Sequence, residues 1–296
     1  MKRAATELLV CPRTRAPFDL DAIRTAEDEV VEGFLVSRDE RRVYPIVAGI
    51  AVLPVALQNH LRHQGNVYRR SPMNDPRLAR FLLGRAGTGY VVVPFEEVVG
   101  HYRDLAADPP PGYETTPHPE DAALAALAAD HLGDRSRRGR GLVVGSGVGR
   151  AVFVLCETLA RVLGVDRSAA CVRRARNIAV TVEDFFLPAP KGSGLKEIPL
   201  DLRTLRRDGA DFVVADGADL PFADRSLDLV LLQPGDSLGR WDDADRALAE
   251  ARRVLLPGGL LVWHEALLEA LTGTAREALE ASETGTRGPF RAARVP

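Results

Sequence analysis

Cysteine is scarce in this chain: three among 296 residues, Cys11, Cys156 and Cys171, widely separated. That excludes a disulfide framework and a four-cysteine zinc site. Long apolar runs are missing as well. No stretch approaches the ~18 residues that a membrane-spanning helix requires, and the opening MKRAATELLVCP carries too short an apolar run for a secretory signal. A cytoplasmic protein without membrane attachment is expected. Nor is there an excess of one charge: 39 Lys and Arg against 41 Asp and Glu give a net charge of −2. Nothing in that balance calls for a nucleic-acid partner. The arginine clusters RSRRGRG and VRRAR stand among acids and read as solvated faces or helix ends.

What is present is the material of a globular core, 46% hydrophobic residues, arranged in three segments. Residues 1–57 carry β-branched runs, EVVEGFLVS and RRVYPIVAGIAVLP, separated by the charged turn RDER, a hairpin pattern ended by Pro54. Residues 58–116 hold two helical stretches, DPRLARFLLGR and PFEEVVGHYRDLA, the second opened by Pro94, and close in the proline-rich ADPPPGYETTPHP. This segment reads as a linker that could fold over a ligand as a lid. From residue 117 to 296 strand and helix patterns alternate: GLVVG, RVLGVD, DFVVAD, LDLVLLQ and GLLVWHEA as strands, with helices between them, one N-capped by Ser168. Short connections between alternating elements predict a doubly wound, mostly parallel Rossmann-like α/β sheet, with ligands at the carboxyl ends of its strands.

The first of those strands runs into LVVGSGVGR. Two familiar loops are absent there. The dinucleotide fingerprint needs a third glycine or alanine where Arg150 or Val152 stands, and no G-K-[ST] follows to grip a triphosphate. The pattern is Gly145, Gly147 and Gly149 around Ser146, a turn that permits close backbone approach. Asp166 ends the next strand, followed by Arg167, where a carboxylate can take both hydroxyls of a ribose. Asp216 and Gly217 follow the third, suited to an adenine amine and ring nitrogen. Three successive strand ends thus offer groups for an amino-acid tail, a ribose and an adenine.

LVVGSGVGR, LGVDRS, VADGADLPFADRSLDLV and EARRVLLPGGLLV resemble, in order and spacing, the motifs of class I S-adenosylmethionine-dependent methyltransferases over residues 118–265. The resemblance implies S-adenosylmethionine as cofactor, held by Gly145, Ser146, Gly147, Gly149, Asp166, Arg167, Asp216, Gly217 and Gln233. Two departures stand out. Val143 occupies the position of the family's acid, two residues before the first glycine, and the C-terminal stretch leaves scarcely enough chain for the family's closing helix and antiparallel hairpin. A long insertion, residues 177–203, and the G-x-GVGR loop are partly similar to the methyltransferase domain of the ovothiol pathway, which methylates a mercaptohistidine ring nitrogen.

The N-terminal frame Leu8, Cys11, Pro12, Tyr44, Pro45, Ile46, Gly49 and Ile50 is similar to a small zinc-ribbon-like domain that partners and activates some methyltransferases. Its metal ligands are lost here: Thr14 and Ser37 stand where cysteines would be, and one thiolate does not hold a structural zinc. No metal is expected.

Methyl transfer needs a positioned nucleophile and excluded water more than a dedicated base. The expected activity is transfer to a small-molecule N, S or O nucleophile. Gln233 is the candidate for the methyl end of the cofactor, and Asp236, Tyr102 and His264 are candidates on the acceptor side. Two alternatives stay open: a degenerate fold acting as a scaffold, and an RNA- or protein-modifying enzyme recruited through the N-terminal domain.

Overall fold

The computed structural model describes residues 1–93, 95–107, 120–133, 138–181, 185–188, 197–233 and 243–296. Its frame is one eleven-stranded sheet. The parallel centre comes from β-rich runs with no polar face, as a sheet covered on both sides requires. These strands are β5 (Arg140–Val144), β6 (Arg161–Asp166), β9 (Ala210–Val214), β10 (Leu227–Leu232) and β11 (Leu255–His264), in the spatial order β9-β6-β5-β10-β11. Helices α6 (Asp121–Leu132), α7 (Arg150–Cys156), α8 (Ala169–Val180) and α9 (Ala244–Val254) connect and cover them. Ser168 caps α8, accepting the Cys171 N–H at 3.3 Å. Leu142, Val144, Leu163, Val165, Val213 and Val230 face one core, and Val143, Val162, Phe212, Val214, Leu229 and Leu231 the other. Each such aliphatic side chain contributes ~1.5–3 kcal/mol by leaving water.

The chain closes its sheet after all. Beyond β11, α10 (Gly273–Ala281) precedes a hairpin of β12 (Gly285–Arg287) and β13 (Phe290–Arg294), and β13 pairs antiparallel with β11, Leu260 opposite Arg294. The short C-terminus therefore suffices. Strands of three and five residues are joined by a two-residue Gly288–Pro289 turn, Gly288 taking a φ of 54°.

The N-terminal strands join the same sheet. They are β1 (Phe18–Ala26), β2 (Glu29–Ser37), β3 (Val43–Val47) and β4 (Ile50–Val52), an antiparallel series preceded by the short helix α1 (Arg3–Thr6). The single run expected at RRVYPIVAGIAVLP is two strands, because Ala48 and Gly49 both take positive φ (50° and 76°) and fold it into a tight hairpin. β4 then lies parallel to β9, Ala51 opposite Val213, so the β-rich piece extends the central sheet and covers the edge that β9 would otherwise expose. Arg15 adds a second tie, reaching both carboxylate oxygens of Glu250 on α9 at 2.9 Å.

Between these parts run α2 (Leu57–His63), α3 (Gly65–Arg69), α4 (Pro76–Leu83), α5 (Phe95–Tyr102) and a 3-10 turn at Arg103–Leu105. Asp75 caps α4 through the N–H groups of Arg77 and Leu78. Pro94 lies outside the described residues. Within the long insertion, β7 (Phe185–Pro188) and β8 (Glu197–Leu200) pair antiparallel, and Ala107 N–H donates to the Pro199 carbonyl at 2.8 Å. No described helix is long and apolar enough to cross a membrane.

Candidate cofactor site

The parallel register lines up the strand ends. Val165, Val144, Leu232 and Trp263 are neighbours across β6, β5, β10 and β11, so the next residues, Asp166, Gly145, Gln233 and His264, rim one edge of the sheet. The chain past β5 leaves the sheet at once: Gly145 and Ser146 both donate to the Val165 carbonyl, at 2.9 and 3.0 Å, and Gly149 N–H closes on Ser146 at 2.8 Å. That path requires left-handed backbone at Gly145 (φ 77°), Gly147 (φ 50°) and Gly149 (φ 98°). At Gly149 the space is already taken by protein. A Cβ there would stand 2.9 Å from the Ala175 Cβ and 3.0 Å from the Phe212 ring, so this glycine serves packing between α7, α8 and β9.

Asp166 is tied to two backbone segments. One carboxylate oxygen accepts the Ser168 N–H at 2.7 Å, and the other accepts the Gly147 N–H at 2.9 Å. Burial pushes its pKa above the usual carboxylate range, opposed by those two N–H groups and by the Arg167 charge. Two lone-pair positions remain for hydroxyl donors. Asp216 holds the Ala218 N–H at 3.0 Å, lies 3.9 Å from the half-exposed Arg167 guanidinium, and keeps its carboxylate 39% exposed. Ser146 Oγ is buried without a hydrogen-bond partner among the described residues. These features fit a ligand with a ribose: an exposed carboxylate at one loop, a half-satisfied one between two loops, and an orphaned hydroxyl in the glycine turn. Val143 sits fully buried between Leu231 and Gly164, offering no charge to the loop. Gln233 continues β10, its N–H donating to the Val144 carbonyl at 3.0 Å.

The acceptor-side candidates part company. Tyr102 is fully buried, and its hydroxyl donates to the Val148 carbonyl at 2.7 Å. Burial pushes its pKa upward, so it remains a neutral donor spent on the glycine loop. His264 stands at the rim, but its Nδ1 accepts the Ala266 N–H at 3.1 Å and its Nε2 lies 3.4 Å from Glu120. Asp236 lies outside the described residues.

Two contributions were not expected from the sequence. Arg150, nearly buried, carries Asp121 on its Nε at 2.7 Å and Asp104 on its terminal nitrogens at 2.7 and 3.3 Å. Gln64 reaches the turn after β6, donating to the Arg167 carbonyl at 2.8 Å and accepting the Ala169 N–H at 2.7 Å. The arginine was visible in the GVGR motif. Gln64 has no local signal, because its partners are over a hundred residues away.

In the N-terminal piece, the thiol of Cys11 lies 3.8 Å from the Tyr44 hydroxyl, and Ser37 donates to Asp39. Among the described residues, no three His, Cys, Asp or Glu converge as metal ligands would.

Residues 142–263 match the family model of a methyltransferase domain, and residues 2–49 match that of the Trm112p-like proteins. The chain is 46% identical over 57 residues to the demethylmenaquinone methyltransferase of Renibacterium salmoninarum, covering 19% of this chain and 23% of that one. It is 50% identical over 54 residues to the ubiquinone/menaquinone biosynthesis C-methyltransferase UbiE of Acidiphilium cryptum, covering 18% and 21% respectively. The chain thus spans less than a quarter of the length of these curated relatives. Among solved structures, the PH0226 protein of Pyrococcus horikoshii is similar over 69% of this chain and all of that one, at 18% identity and a TM-score of 0.43.

Proposed function

We propose that this chain, in which a methyltransferase domain of the class I, S-adenosylmethionine-dependent kind follows a Trm112p-like domain, transfers methyl groups to a small-molecule nucleophile. The observation that carries the reading is Asp166. Its carboxylate sits at the end of β6, fastened between the glycine turn and the start of α8, with capacity left for two ribose hydroxyls. Gly145, Ser146, Gly147 and Gly149 shape the turn that takes the amino-acid tail. Arg167, Asp216 and Gly217 border the adenine end.

The bound cofactor supplies an electrophilic sulfonium methyl. The chain's own residues bind it, orient an acceptor in line with it and keep water out. Gln233 lies on the rim beside Gly145 and is the residue nearest the expected methyl end. His264 and Asp236 remain the acceptor-side groups proposed for orienting the nucleophile. Tyr102 leaves that role, since its hydroxyl is committed to the glycine loop. Nitrogen, sulfur and oxygen acceptors are the first to assay. The two curated relatives named above are a demethylmenaquinone methyltransferase and a ubiquinone/menaquinone biosynthesis C-methyltransferase, which adds a carbon acceptor to that panel. A net charge of −2 lends no support to a nucleic-acid acceptor.

Val143 favours a second reading, a binding protein that keeps the fold without the chemistry. One titration separates the two. S-adenosylmethionine and S-adenosylhomocysteine are expected to bind in the micromolar range by calorimetry. Asp166→Ala removes two charge-assisted hydrogen bonds, about 3 kcal/mol, or roughly 100-fold in affinity. If neither ligand binds the unmodified protein, the methyltransferase reading is wrong.

A further inference from the structure

We infer that the helical segment between the two domains is a clamp on the cofactor site, with Gln64 and Tyr102 as positioning residues for its two halves. The inference rests on the proposed reading of the site and goes beyond it. Neither residue touches the rim of strand ends, and each instead fastens one of the loops that form it.

Gln64 ends α2 and is almost fully buried. Its amide satisfies two backbone groups on either side of Ser168: the Arg167 carbonyl at 2.8 Å and the Ala169 N–H at 2.7 Å. The second is an orphan donor of the first turn of α8, which has no partner inside the helix. A primary amide is suited to this task, since it presents one donor and one acceptor side by side. The turn so held contains Asp166, whose oxygen accepts the Ser168 N–H. Arg173 of α8 reaches back to the same helical segment, donating to the Val67 and Arg70 carbonyls at 3.2 and 3.1 Å.

Some forty residues later the same segment fastens the other loop. Tyr102 donates to the Val148 carbonyl, between Gly147 and Gly149, and Asp104 two residues on takes the Arg150 guanidinium. Gln64 therefore governs the ribose and adenine side, and Tyr102 the glycine turn proposed for the amino-acid tail. The two halves meet at Asp166, whose second oxygen holds the Gly147 N–H. Because α2 begins five residues after β4, the clamp also ties the seating of the N-terminal strands on β9 to the shape of the cofactor cleft.

Two variants and two ligands test this. Adenosine has the ribose and base but no amino-acid tail, whereas S-adenosylhomocysteine has both. Gln64→Leu is expected to weaken both ligands about tenfold. Tyr102→Phe, which removes only the hydroxyl, is expected to weaken S-adenosylhomocysteine several-fold and leave adenosine unchanged. Gln64→Glu keeps the acceptor for Ala169 but turns a carboxylate oxygen toward the Arg167 carbonyl, and is expected to bind no better than Gln64→Leu. Calorimetric titration gives these affinities, with melting of the unliganded proteins alongside. Equal losses for both ligands in both variants, in step with melting temperature, would overturn the clamp in favour of plain destabilisation. Unchanged affinities in the variants overturn it as well, while leaving the site reading intact. No binding by the unmodified protein removes the site reading and the clamp together.

Discussion

Replacing Arg150 with methionine probes a buried charge cluster. The guanidinium side chain is 9% exposed, and its partners Asp104 and Asp121 are 11% and 21% exposed. Burial by itself would lower the arginine's pKa, yet the hydrogen bond and charge of Asp121, followed by those of Asp104, hold it above its ordinary range. Arg150→Met keeps much of the apolar stem while removing the guanidinium that both carboxylates share. Removing one partner of a buried ion pair costs ~3–5 kcal/mol, and the partial exposure of both acids places this site at the lower end, about 3 kcal/mol. For a chain of this length that corresponds to a melting temperature lowered by roughly 6 °C. The decisive comparison is the triple variant Arg150→Met with Asp104→Asn and Asp121→Asn. If the loss comes from stranded charge, neutralising the acids restores most of the lost degrees. A single-variant loss of under ~2 °C would show that water already screens the cluster, and a triple variant no better than the single one would place the cost in packing.

Two other perturbations have definite signs. Burial, with a smaller push from His63, lowers the His60 pKa from 6.5 to about 4, while its Nε2 lies 2.6 Å from the Tyr68 hydroxyl. The unfolded chain therefore binds the extra proton first, and stability falls as pH drops through 6.5 toward 4. The loss is ~2 kcal/mol at pH 5. Urea midpoints for wild type and His60→Gln at pH 7.5 and 5 measure it, and equal pH slopes in the two proteins would refute the assignment. Gly149→Ala must force a Cβ to within 2.9 Å of Ala175 at a φ of 98°, expected to cost about 2–4 kcal/mol in urea unfolding. Gly273→Ala, with nothing within 4 Å of the added Cβ among the described residues and no positive φ, is the control and should lose nothing measurable. Equal losses at the two glycines would rule out the steric argument.

Strand and helix periodicity, the glycine turn, the Ser168 cap and the acids ending β6 and following β9 were legible in the sequence because each depends on residues within one turn or one strand. The same locality explains the misses. Ala48 and Gly49 look like an interruption within one apolar run, and only the pairing of Ala51 with Val213 gives β4 its own place. The C-terminal hairpin is too short to announce itself, and it exists because β11 offers an edge for β13. Tyr102 reads as an acceptor-side candidate until folding places the Val148 carbonyl 2.7 Å away.

By itself, then, the sequence determined the alternating α/β pattern and the groups at its strand ends, since backbone preference and side-chain chemistry travel with each residue. Tertiary structure alone decided that the N-terminal strands and the central strands share one sheet, that Arg150 lies between Asp104 and Asp121, and that Gln64 supports the turn after Asp166. The physical reason is that unpaired strand edges, buried charges and orphan helix N–H groups must each find a partner, and the partner can come from anywhere in the chain.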